Sequence, residues 1–182
     1  MVGLENEQSL HHFLTESPWQ TLGLRQRRLN LILQALDGRE MILIIDDTGD
    51  RKKGNKTDYV KRQYIGNLGK VENGIVAVTA YGVIESITVP LMFEVYKPKE
   101  RLEAGDTYKS KPEIAAQMIR DLQAMGFQFK LVLADSLYGE SGRNFVDNLY
   151  QLNLNFVLAI RSNHAVWLPR GQTVRRNRAS SI

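Results

Sequence analysis

The sequence predicts an α/β fold, a mixed five-stranded sheet with helices on its faces. Three observations carry this expectation. Two short apolar runs, MILII at 41–45 and LVLA at 131–134, each end in an acid, and the first has the length and branching of a strand buried on both faces. Residues 75–83 and 86–96 are rich in β-branched and aromatic side chains around a short polar break at Glu85, the signature of a hairpin. Helical periodicity precedes the first run and flanks the second.

Taken in order, residues 9–18 are polar and irregular, with adjacent His11 and His12 whose side chains would diverge on either a helix or a strand. Leu29, Ile32, Leu33 and Leu36 follow the i, i+3, i+4, i+7 pattern, so 22–36 is an amphipathic helix stopped at Gly38. The first strand follows and delivers Asp46 and Asp47 at its carboxyl end, with Thr48 and Gly49 turning the chain. Residues 51–70 are basic and Gly-rich and read as a loop or irregular excursion. Pro90 in the second hairpin arm places that arm at a sheet edge or at a bend.

After a charged loop at 97–109, Ser110, Lys111, Pro112 and Glu113 spell an S-x-x-E capping box with Pro in the first turn. Ile114, Met118, Ile119, Leu122 and Met125 mark the buried face of the helix it opens, and Gly126 closes it. The strand ending in Asp135 comes next, then a helix of about three turns with Phe145, Val146, Leu149 and Leu152 inward, and a last short strand at 155–160.

Three strands in direct succession are antiparallel neighbours, and two that each follow a helix run parallel to the first. The first and fourth strands, which carry the acids, become neighbours at the centre. The ribonuclease H-like fold has this layout. The expected organisation is a helical lead-in at 1–40, a core at 41–160 and a basic tail at 161–182.

The chain has 182 residues, 43% of them hydrophobic, which suffices for one sizeable core. No apolar run approaches the ~20 residues that cross a bilayer, and the amino-terminal segment lacks a secretory apolar core, so a cytoplasmic location is expected. Cysteine is absent, which excludes disulfides. The net charge of +4 is unevenly spread. Arg51, Lys52, Lys53, Lys56, Lys61, Arg62 and Lys70 face one acid, Asp58, between positions 51 and 70, and five arginines with no acid occupy 161–182. Such clusters favour a polyanion, most commonly nucleic acid, although solvated loops produce them too.

Two carboxylates at adjacent strand ends repel each other unless a cation neutralises them. Oxygen ligands of this kind suit hard ions such as Mg²⁺ or Mn²⁺, which support in-line displacement at phosphorus. The competing structural reading has Asp46 and Asp47 capping a turn and Asp135 capping the next helix. A P-loop is nearly spelled by Gly49, Gly54, Asn55, Lys56 and Thr57, but Asn55 stands where the motif requires Lys. An aspartyl-phosphate site would need Asp-x-Asp after the first strand, and the chain offers Asp46-Asp47-Thr48.

The segments IIDDTGDRKKG (44–54), VKRQYIGNLGKVENGIVAV (60–78), YKPKERLEAGD (96–106) and LVLADSLYGESGRNF (131–145) resemble a DDE-type transposase of bacterial insertion sequences, in the group with a DDTG-like first motif. The resemblance runs from residue 6 to about 167. It implies a ribonuclease H-like core whose acidic triad holds Mg²⁺ or Mn²⁺, cleaves transposon ends and joins them to target DNA. By position the first family Asp matches Asp46, with Asp47 as competitor because neighbouring strand residues face opposite sides; the second matches Asp135. The basic residues beside the acids, Arg51, Lys52, Lys53, Lys56, Lys61 and Arg62, would hold the phosphate backbone of that DNA. No Asp or Glu follows Asp147, so the family's third acid has no counterpart. The chain is therefore expected to be a transposase truncated at both ends and inactive alone. Its partners would be DNA and a second or full-length transposase copy. As alternatives it is a binding remnant that interferes with the full-length protein, or an unrelated metal-dependent phosphatase or nuclease.

Overall fold

The structure, a computed structural model, describes residues 7–16, 18, 20–54 and 56–164. Helix α1 (Glu7–Glu16) and helix α2 (Thr21–Leu36) lead into strand β1 (Met41–Arg51). Strands β2 (Lys61–Ile65), β3 (Lys70–Ile84) and β4 (Ile87–Val95) follow, then helix α3 (Lys111–Ala124) and strand β5 (Phe129–Ala134). A short helix α4 (Ser136–Gly139), a π-helical turn (Gly142–Val146), helix α5 (Asp147–Gln151) and strand β6 (Phe156–Leu158) complete the order. Among the described residues no helix is long and apolar enough to cross a membrane.

The sheet is mixed and six-stranded, ordered β2-β3-β1-β5-β6 with β4 also paired to β3. β1 runs antiparallel to β3 and parallel to β5, and β5 runs parallel to β6. This is the expected α/β, ribonuclease H-like arrangement with one strand more than the five expected. The extra strand is β2, inside the basic stretch read as irregular. Its sequence, KRQYI, opens with three polar residues and has no run of apolar ones, so the hydrophobic signal of a strand is weak; Lys61↔Gly74 to Ile65↔Lys70 pairing makes it one. Gly74 permits the crowding there, since a Cβ would stand 2.4 Å from Ile65 Cδ1 and 2.5 Å from the Asp50 carbonyl oxygen.

Two further expectations are corrected. Residues 9–16 belong to α1 rather than to an irregular segment. The single three-turn helix after β5 is broken into α4, the π-helical turn and α5, although Phe145 and Leu149 point inward as expected.

The helix α3 follows its sequence closely. Ser110 Oγ accepts from the Glu113 amide, while the Ser110 amide donates to the Glu113 carboxylate at 2.7 Å. Ile114, Met118, Ile119 and Leu122 are buried. At the end of α2, Asp37 takes the left-handed cap and donates to the Leu33 carbonyl, ahead of Gly38. α2 is tied to the hairpin by Arg28, whose guanidinium donates to the Pro90 and Leu91 carbonyls, beside the register shift that bends β4 on β3.

One core joins α2, α3, α5 and the π-helical turn to the sheet face that carries Met41, Leu43 and Ile45. The opposite face carries Ile42 and Ile44, which are only half-buried, and Val157, which is exposed. The reading of β1 as buried on both faces is therefore corrected among the described residues: the apolar run reports the character of both faces, and only one is covered.

Candidate active site

The site is assembled by the parallel pairing of β1 and β5. Ile45 pairs with Ala134, the last residue of β5, so Asp135 leaves β5 level with Asp46 at the centre of the sheet. Asp46 itself lies inside β1, which runs on to Arg51 paired with β3, so the expectation that the strand ends at the acids and that Thr48 and Gly49 turn the chain is corrected. Asp46 and Asp47 take opposite faces, as alternation requires. Asp46 follows the side of Ile42 and Ile44 and is exposed; its backbone carbonyl accepts from Thr79 Oγ1 at 3.0 Å. Asp47 follows Met41, Leu43 and Ile45 toward the helices and meets Lys111, the first residue of α3, in an ion pair at 2.5 Å. Both side chains of that pair are mostly buried, at 21% and 16% exposure.

Asp135 is the N-cap of α4, its Oδ1 accepting from the Leu137 amide at 3.0 Å. Burial raises its carboxyl above the ordinary range despite that hydrogen bond, and the charges of Asp47 and then Asp46 push it further. Both acids of β1 therefore act on Asp135, Asp47 the more strongly. The capping reading of Asp135 is correct, and it coexists with the juxtaposition of the acids.

The three acids line an open cleft of about 1340 Å³, together with Thr79, Tyr81, Lys111, Glu140 and Arg161. Glu140 is the C-cap of α4. Its carboxylate is gripped by Arg161 through Nε, Nη2 and the backbone amide, which holds its pKa at about 2. Beneath the acids lies Tyr138, fully buried, whose hydroxyl has no hydrogen-bond partner among the described residues. Burial and the nearby carboxylates raise its pKa.

The basic residues lie along the strand beyond the acids. Arg51 ends β1, five positions past Asp46, roughly 16 Å at the usual rise of a strand. Lys53 and Lys56 are exposed in the β1–β2 connection, and Lys52 bonds Asp50 at 2.6 Å. Lys61 pairs with Glu100 at 2.7 Å and, with Arg62 and Arg101, lines a depression of about 330 Å³. A further depression lined by Lys61, Gln63, Tyr96, Lys111 and Leu137 borders the acid cleft, so a shallow groove joins the basic strand to the acids. His11 and His12 are exposed on α1, and His164 approaches Glu140 at 3.7 Å. Residues 165–182, which hold the rest of the Arg-rich tail, lie outside the described residues.

Sequence reasoning missed Lys111, Tyr138, Glu140 and Arg161. A usable signal existed for two of them. In a parallel sheet the segments just past the strand ends converge on one edge, and Glu140 and Arg161 both follow such ends.

The donor chemistry suits a hard divalent cation, because burial and the charges of Asp47 and Asp46 both oppose ionisation of Asp135, and a cation would relieve them. The fit is that of a partial site. Among the described residues no group of three or more His, Cys, Asp or Glu side chains is placed to hold a metal ion, and Asp47 is engaged by Lys111.

Residues 3–181 match the family described as DDE superfamily endonuclease. A probable transposase for insertion sequence element IS701 from Microchaete diplosiphon is 70% identical over 171 residues, which make up 93% of this chain and 45% of that protein. The chain thus spans less than half the length of that relative.

Proposed function

Because this chain belongs to the DDE superfamily endonuclease family, we propose that it forms the part of a DNA transposase core that supplies two of the acidic ligands, Asp46 and Asp135. The observation that carries the reading is the Ile45↔Ala134 pairing, which sets the end of β5, and with it Asp135, beside Asp46 in the middle of β1. Asp46 and Asp135 would hold Mg²⁺ or Mn²⁺, with Asp47 as the alternative to Asp46. When bound, such an ion supplies Lewis-acid stabilisation for displacement at a phosphodiester. The chain's own residues do the rest. Lys111 keeps Asp47 neutralised and oriented, α4 fixes Asp135 through the Leu137 amide, and Lys61 in the groove, with Arg51, Lys52, Lys53, Lys56 and Arg62 beyond it, holds the phosphate backbone.

The test is Mn²⁺-dependent nicking of plasmid DNA by the purified chain and by Asp135→Ala. Removing one member of a set of groups that act together typically costs several orders of magnitude, so the variant's nicking should fall below detection. Equal nicking by both proteins would defeat the metal role.

A second reading is favoured by the absence, among the described residues, of a group of three or more His, Cys, Asp or Glu side chains placed to hold a metal ion. On that reading the chain alone binds DNA, or a second transposase copy, without cutting. Salt-dependent DNA binding with no nicking at any Mn²⁺ concentration supports it.

A further inference from the structure

We propose that Arg161 is a phosphate-contacting residue on the rim of the acid cleft and that Glu140 positions it, an inference that rests on the DNA reading above. Arg161 follows β6, whose parallel pairing with β5 brings its end to the same sheet edge as Asp135; the Ala159 amide still donates to the Ala134 carbonyl at 3.0 Å. The side chain is then fixed from the other direction. Glu140 closes α4, the short helix that Asp135 opens, so one element carries both the acid of the cleft and the anchor of the arginine. The Arg161 amide donates to Glu140 Oε1 at 2.8 Å, Nε donates to Oε1 at 2.9 Å and to Oε2 at 2.8 Å, and Nη2 donates to Oε2. His164 adds a contact to Oε1 at 3.7 Å. The close approach of α4 to β6 is built in, since a Cβ on Gly139 would lie 2.1 Å from the Ala159 carbonyl oxygen.

This grip uses one edge of the guanidinium and leaves the other. A guanidinium has five N–H donors in a fixed fork, and the Glu140 contacts engage Nε and Nη2, which leaves Nη1 uncommitted to that carboxylate. The Arg161 side chain is 70% exposed while that of Glu140 is 13% exposed, so the pair shows its cationic end to solvent and hides its anionic end. A donor edge held in one orientation, lining the cleft that contains Asp46 and Asp135, suits a phosphate oxygen of a strand lying across the acids. Lys111 also lines that cleft, but its ammonium is mostly buried against Asp47.

The experiment measures affinity for a short duplex oligonucleotide by fluorescence anisotropy over a range of salt, using the full chain. Arg161→Ala should bind several-fold more weakly and flatten the plot of log K against log salt by about 0.9, the value for one phosphate contact on B-DNA. Arg161→Lys keeps the charge and loses the fork, so it should retain the slope and lose affinity. Glu140→Gln should weaken binding without flattening the slope, and tighter binding would overturn the positioning role. Lys130→Ala, at the opposite end of β5, should leave both quantities unchanged. Unchanged slope and affinity in Arg161→Ala would overturn the proposal, as would a lower melting temperature with an unchanged slope, the mark of a purely structural clasp. Absence of salt-dependent binding by the unmodified chain would overturn the DNA reading as well.

Discussion

Consecutive carboxylates on an extended chain cannot share one environment, and the fates of Asp46 and Asp47 follow from that. Asp46 stays in solvent, whereas Asp47 turns toward the helices, where a charge needs a partner, and Lys111 supplies it. Lys111→Met should therefore leave a poorly solvated carboxylate behind and cost about 1–3 kcal/mol of stability. Adding Asp47→Asn to that variant should recover most of the loss in urea unfolding, because the double variant buries no unpaired charge. If the two losses simply add, the pair is not coupled. Glu140 makes a prediction about acid. Its carboxyl is held at about 2, below its ordinary value of 4.5, because Arg161 stabilises the ionised form. The folded state thus gains stability from ionised Glu140 above pH 4.5, and that gain disappears as the pH falls toward about 2. Glu140→Gln should lose the part of the acid-induced destabilisation that falls in this window, measured as the difference between the two proteins' urea midpoints against pH.

At the level of elements, α3 rests on two separable supports. Its capping box satisfies amides at the start, so Ser110→Ala should cost about 1 kcal/mol. Its buried face anchors it to the sheet, so Leu122→Ala should cost about 2–5 kcal/mol, with the denaturant midpoint reporting both losses. This helix was legible in the sequence because both signals are local: a four-residue box and a repeat of apolar positions. The segments that were not legible lack such signals. β2 has no run of apolar residues, and its partner strand decides it; the π-helical turn at Gly142–Val146 interrupts the 3.6-residue period that Phe145, Val146, Leu149 and Leu152 had suggested.

Across the whole molecule, the readable part of the site was the part written along strands. Two apolar runs ending in acids were enough to expect Asp46 and Asp135 as neighbours, because parallel pairing sets the last residues of the two runs, Ile45 and Ala134, opposite each other; that β1 continues to Arg51 was not legible, since the residues after the acids are polar. Lys111, Glu140 and Arg161 come from three different connections, and only the folded sheet brings them to the same cleft. The uneven covering of the sheet was illegible for another physical reason. Ile42 and Ile44 are as apolar as Leu43 and Ile45, and hydrophobicity records a preference for burial rather than the presence of a covering layer.

The seam between β1 and β5 also governs when the cleft can exist. The β3–β4 hairpin joins neighbours in sequence and can close early, whereas β1 must wait for a strand that arrives only after the hairpin and α3. Closing so long a loop costs somewhat more chain entropy than closing the hairpin, and such non-local pairing slows folding. Asp46 and Asp47 are neighbours from the start, but Asp135 joins them only once β5 has docked on β1.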